Sequence, residues 1–185
     1  PPVESTSPDS STLETTSPTE TVPVETVPPS AIWDEIGPPN APTDHTDAVP
    51  DGALTDGLYW ANLVGGTAAA PYVTVMQAFF GAECATAAAT HGDECLNDIY
   101  VSASPNRTFS DLPYASGATK VFVSVADVNT QKSMWVSTAE LASLVAAGVA
   151  GATANSPSGF AYQPYAFLMT VKDQEITRFE QVWTP

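Results

Sequence analysis

Positive charge is what this sequence has least of: five Lys and Arg stand against twenty-one Asp and Glu, a formal net charge of −16 at pH 7. Nucleic acid and anionic membrane surfaces are held by clustered Lys and Arg, so the balance disfavours both as partners. Long apolar runs are also missing, and none approaches the about twenty residues that a membrane-spanning helix requires. No Gly-x-Ser-x-Gly elbow occurs, and there are only two histidines. His45 lies in a proline-rich stretch and His91 close to a cysteine, so neither is an attractive general base for a serine-type site.

The acidic excess is distributed unevenly. Residues 1–56 hold eleven carboxylates and no Lys or Arg, whereas 57–185 hold the other ten together with all five cations. Residues 1–30 are nearly all Pro, Ser, Thr, Glu and Val, with the echo Glu20-Thr21-Val22-Pro23 and Glu25-Thr26-Val27-Pro28. Prolines at this density lack amide donors and bias their neighbours to extended backbone, and the scattered apolar residues are too few to build a core. The reading is a disordered acidic stalk over 1–55, reaching on the order of 40 Å as a flexible coil, and a single globular domain over 56–185. Ala31-Ile32-Trp33-Asp34-Glu35-Ile36 interrupts the stalk with three large apolar residues. It reads as a segment pinned onto its own domain, with a partner-docking motif as the sharper alternative. Because the chain opens on Pro1 and not Met, either a targeting segment has been removed or the chain is trimmed. A removed secretory signal fits the cysteine pair and the tail.

From Gly57 onward the pattern turns to strands. Leu58–Val64 and Tyr72–Phe79 read as a hairpin around Gly65-Gly66, and 97–102 reads as a third short strand that ends in a turn at Pro105-Asn106. Val121, Val123 and Val125 alternate with Phe122 and Ser124, and Ser133–Val136 reads as the partner strand. Ser137-Thr138-Ala139-Glu140 fits a capping box opening a helix with Leu141, Leu144 and Val145 on one face. Residues 148–163, small and polar, are expected to form a mobile loop. Lys172-Asp173-Gln174-Glu175 suits the turn between two long strands. The fold class is α+β: a mainly antiparallel sheet, or a small partly closed barrel, of about seven strands with two short helices.

Both cysteines flank a short alanine-rich segment. Residues 82–90 suit a helix, and Gly92 follows at a plausible stop. Such a helix carries the chain roughly 10 Å from Cys84 to His91, and the four steps to Cys95 can return that distance. A bridge between Cys84 and Cys95 is the expectation, adding about 3 kcal/mol in the chain-entropy account. Two buried thiols or an intermolecular bridge are the alternatives.

The succession Asp56-Gly57-Leu58-Tyr59, Phe79-Phe80-Gly81-Ala82-Glu83-Cys84, His91-Gly92-Asp93, Asn97-Asp98-Ile99-Tyr100-Val101 and Arg107 resembles a group of exported actinobacterial proteins and lipoproteins of unknown function. In that group an Asp-Gly-x-Tyr strand precedes a Phe-x-Gly-x-x-Ala helix, an Asp-Gly turn and an Asn-Asp-Tyr-Tyr-Ile strand leading to an Arg. The likeness spans most of 56–183, and it implies export without implying an activity. Ile99 replaces the first Tyr of that run, and Cys84 stands where the pattern has Ala, which makes the cysteine pair a local addition.

Four residues stand out as candidate ligand or loop-bracing positions: Asn97, Asp98, Arg107 and Asp111. An Arg after the strand of Asp98 is expected to pair with Asp98 or Asp111 and brace the loop, while the sharper reading makes it an anchor for an anionic ligand. His91, Asp93, Glu94 and Asp98 mix imidazole and carboxylate, but match no standard zinc or calcium spacing and read as a solvated helix end and turn. Asp98, Asp111 and Glu180 are a carboxylate set that could meet in space. Tyr59, Trp60, Tyr72, Trp135, Tyr162, Tyr165, Phe179 and Trp183 offer a carbohydrate or partner platform, although aromatics at strand positions read first as core. No catalytic residue, metal or cofactor is assigned. The functional expectation is a non-catalytic, secreted or envelope-attached domain with a protein or glycan partner at the cell envelope. A small extracellular hydrolase using carboxylates and a calcium-steadied adhesion or inhibitory module are the rivals.

Overall fold

The structure is a computed structural model that describes residues 32–37, 39, 41–117, 119–148 and 151–183. Of the stalk expected over 1–55, residues 1–31 lie outside the described residues. In chain order the elements are β1 (Glu35–Ile36), β2 (Gly57–Gly66), β3 (Pro71–Phe80), α1 (Gly81–His91), β4 (Ile99–Phe109), β5 (Phe122–Asp127), β6 (Lys132–Trp135), α2 (Thr138–Ala147), β7 (Phe167–Lys172) and β8 (Glu175–Gln181). All eight strands join one open sheet in the order β1-β6-β5-β8-β7-β2-β3-β4. The partly closed barrel is therefore set aside: β1 and β4 are the two edges. Every pairing is antiparallel except β5 with β8, where Val123 lies opposite Phe179. That parallel contact follows from α2 and the long connection after it, which carry the chain away before β7 and β8 return as a hairpin.

Local chemistry explains the hairpins. Between β2 and β3 the register slips between Leu63 and Gly65. Gly66 has φ of 134°, and a Cβ there would lie 2.7 Å from the Pro71 Cα, so only glycine fits this corner. Asp173 and Gln174 turn β7 into β8 with φ of 52° and 64°, the paired positive angles of a tight turn matched to strand twist. The third strand differs from expectation. Pro105-Asn106 does not end it, because β4 runs on to Phe109. Val75 faces Arg107 while Gln77 faces Ser102, so residues 103–106 bulge opposite Met76 alone. Proline has no amide to offer a ladder and is tolerated at such a bulge on an edge strand, and the bulge returns Arg107 and Phe109 to the sheet.

The main core lies on the face that α2 covers. Tyr59, Val75, Val123, Phe167 and Phe179 meet Leu141 and Leu144, and the Phe167 and Phe179 rings stack 4.2 Å apart. Burying each such side chain contributes about 1.5–3 kcal/mol. A smaller cluster holds Trp60, Met76, Phe80 and Leu168, flanked by Ile99 and Val101. The segment after α2 is folded onto the main core and not left as a loose loop: Phe160 and Tyr162 are buried, and the Tyr162 amide donates to Gly151 O at 2.7 Å.

The N-terminal segment is part of the domain. Glu35 and Ile36 pair with Met134 and Ser133, the Trp33 ring packs 4.7 Å from Phe160, and Lys132 Nζ donates to Glu35 at 2.7 Å. This is the pinned segment expected from Ile32, Trp33 and Ile36. Packing also starts well before residue 56. Thr46, Val49 and Leu54 are buried, and residues 44–47 bond to both β2 and β3: Phe80 N–H donates to Asp44 O, and Asp47 N–H to Leu58 O. Residues 44–54 form a strap that fills the sheet where β2 stops short, through backbone bonds that its proline does not interrupt.

Candidate functional site

Two places gather the candidate residues. The first is the corner built by α1. Gly81 enters the helix with φ of 52°, Cys84 and Ala88 face inward, and Gly92 ends it with φ of 75°. Gly92 N–H donates to Ala89 O and Asp93 N–H to Ala88 O, the paired bonds of a glycine-terminated helix. Cys84 and Cys95 are bridged with their Cα atoms 5.6 Å apart. Asn97 and Asp98 then take φ of 52° and 58° in a tight turn, where Ile99 N–H donates to Leu96 O and Asp98 O accepts from Gly81 N–H. These two residues serve the turn that starts β4.

Around this corner runs a row of four rings that the aromatic residues singled out from sequence do not include. His45 on the strap lies 6.2 Å from Phe79 on β3, Phe79 lies 6.3 Å from Tyr100 on β4, and His91 at the end of α1 stacks 5.8 Å from Tyr100. The Tyr100 hydroxyl donates to Asp93 Oδ2 at 3.2 Å. Partial burial, then that hydrogen bond and the Asp93 charge, hold the hydroxyl above its ordinary pKa. Both imidazoles of the chain stand in this row, one of them beside Asp44 at 3.6 Å. Among the described residues no three His, Cys, Asp or Glu side chains are placed to hold a metal. The aromatics nominated from sequence are largely elsewhere: Tyr59, Trp60, Tyr162 and Phe179 are core, Trp135 and Tyr165 are half-buried, and Tyr72 and Trp183 are exposed.

The second place is a cleft of about 670 Å³ between the strap and the end of β4, with Arg107, Phe109, Asp111 and Gln174 in its walls. Arg107 Nη1 donates to the carbonyls of Pro50 and Gly52, and its guanidinium lies over the Phe109 ring at 5.0 Å. Gln174 Nε2 donates to Leu54 O, so two side chains clamp the same strap. The expected ion pair is not made. Asp98 precedes Ile99, which faces Phe80 at one end of the β3 ladder, while Arg107 faces Val75 beyond the bulge. Asp111 shares the cleft with Arg107 but forms no ion pair with it among the described residues. Arg107 instead bonds to backbone carbonyls of the strap, which a reading of charged residues alone passes over.

Asp98, Asp111 and Glu180 do not converge. Glu180 sits on β8, with three strands between it and β4, and accepts two 3.0 Å hydrogen bonds from Arg178, which lies over the Phe122 ring. Compared with protein-family models, curated proteins and solved structures, the chain matches none.

Proposed function

We propose that this chain is a non-catalytic binding domain, secreted or attached at the cell envelope, which an acidic stalk holds away from the surface and which meets a protein or glycan partner through the α1 corner. The observation that carries the reading is the ring row His45-Phe79-Tyr100-His91. It crosses the strap, two strands and a helix end, and the disulfide of Cys84 and Cys95 fixes the helix that supplies its last member. Partly exposed aromatic rings provide large contact area at low side-chain entropy, which is what a recognition surface uses. The disulfide is compatible with an oxidising compartment, and among the described residues no helix is long and apolar enough to cross a membrane. The resemblance to exported proteins points the same way.

The test is co-sedimentation of the full chain with washed bacterial envelope material. The native chain is expected to sediment, and Phe79→Ala combined with Tyr100→Ala to remain in the supernatant while still melting cooperatively. Failure of the native chain to sediment, or equal sedimentation of a folded double variant, overturns the reading.

A further inference from the structure

We propose that the cleft beside Arg107 binds a carboxylate carried on an apolar group, at a site separate from the ring row. Arg107 is held before any ligand arrives. Its Nη1 is fixed by the Pro50 and Gly52 carbonyls and its flat face by the Phe109 ring. Two carbonyls account for the two hydrogens of Nη1. The remaining three donors, on Nε and Nη2, have no hydrogen-bond partner among the described residues, and this edge of a guanidinium is the fork that a carboxylate meets with two parallel bonds. Arg178 and Lys132 are each already paired with a glutamate, so Arg107 differs from both in lacking a carboxylate partner. An arginine immobilised in this way loses little side-chain freedom on binding, which favours the complex.

The rest of the cleft decides what the carboxylate must carry. Ala53, Phe109 and Pro113 give it apolar surface beside the one guanidinium, over the buried Leu54 and Leu112, while Thr108, Ser110 and Gln174 line the remainder. Asp111 lines the same space and repels a second negative charge, so the site favours a monoanion over a phosphate dianion. A peptide C-terminus ending in an apolar residue and a free fatty acid share this chemistry.

The experiment titrates the full chain with N-acetyl-leucine and with octanoate, and in parallel with the corresponding amides, following the backbone amide resonances of residues 52–54 and 107–112. Carboxylates are expected to shift these resonances, with the amides weaker by about ten-fold, the effect of losing one charge-assisted pair. Arg107→Lys keeps the charge but loses the fork, and should weaken binding by about ten-fold. Asp111→Asn leaves the clamp on the strap untouched and should tighten binding. A response to N-acetyl-leucine above that to octanoate assigns the site to peptide termini, and the reverse assigns it to fatty acids. Silence of both carboxylates to about 10 mM, or amides that bind as well as the acids, overturns the proposal.

Discussion

Arg107 donates to the backbone carbonyl of Gly52, fifty-five positions earlier in the chain. Through that bond, and the one to Pro50, the far end of β4 holds the strap that precedes β2. Gln174, from the turn between β7 and β8, holds the carbonyl two residues further on, at Leu54. Three distant parts of the sequence thus depend on one another at the mouth of the cleft.

Removing the guanidinium leaves two carbonyls without their donor and uncovers the Phe109 ring. Arg107→Ala should lower unfolding free energy in urea by about 1–3 kcal/mol. Adding Asp98→Asn should give simple additivity to about 0.5 kcal/mol, since Asp98 lies at the other end of the β3 ladder, whereas adding Gln174→Ala should not add, because both side chains clamp one segment. Strong coupling of Arg107 to Asp98 would contradict the geometry.

The bridge between Cys84 and Cys95 closes a short loop around α1, whose inward face is only Cys84 and Ala88. With so little apolar burial, the helix relies on the bridge to stay against β3 and β4. Unreduced protein should show no alkylatable thiol, and reduction should lower the melting temperature by several degrees. The His91–Tyr100 contact should loosen with it, seen as faster amide exchange over 81–92 than over β2.

Much of this architecture is written locally. Alternating Val121, Val123 and Val125, the Gly65-Gly66 corner, the Asp173-Gln174 turn and the Gly92 stop each act through their own backbone preferences, and each is where the sequence places it. Ser137 accepts from Glu140 N–H at 3.1 Å as a capping residue should. What stays hidden is non-local. The strap at 44–54 is held by backbone bonds that composition does not record, Pro105 reads equally as a turn or a bulge, and the parallel pairing of β5 with β8 depends on where the chain returns after α2. The ring row is illegible for the same reason, since His45, Phe79, Tyr100 and His91 are neighbours only once strap, sheet and helix have assembled.

Glu140 shows a local motif diverted by its surroundings. Its carboxylate accepts from Thr153 Oγ1 and from Asn155 Nδ2 at 3.2 Å, pinning the segment after α2 onto the helix. The side chain is 6% exposed, so its loss leaves partly buried donors without an acceptor. Glu140→Ala should destabilise by about 1–3 kcal/mol and open residues 151–160 to protease, while Ser137→Ala should cost about 1 kcal/mol without that local opening. Equal protease resistance in both variants would show that the carboxylate is not what holds the segment.

Stability at high pH should be set by two core tyrosines. Burial raises the Tyr114 hydroxyl well above its ordinary value, with the nearby Tyr162 adding to the rise, and burial pushes Tyr162 up to about 12. In the unfolded chain both titrate near 10. Below that pH both states keep their protons, and the tyrosines introduce no slope. Above it the unfolded chain releases protons that the folded protein retains, so unfolding is favoured by about 1.4 kcal/mol per pH unit for each tyrosine, up to the folded-state value. Urea denaturation midpoints should therefore change little on account of these groups from pH 7 to 9 and fall steeply between about 10 and 12. Tyr162→Phe should make that fall shallower, by removing one titrating group and one cause of the Tyr114 shift. A native chain whose midpoint stays level through this range would show that these hydroxyls ionise as freely in the folded protein as in the unfolded one.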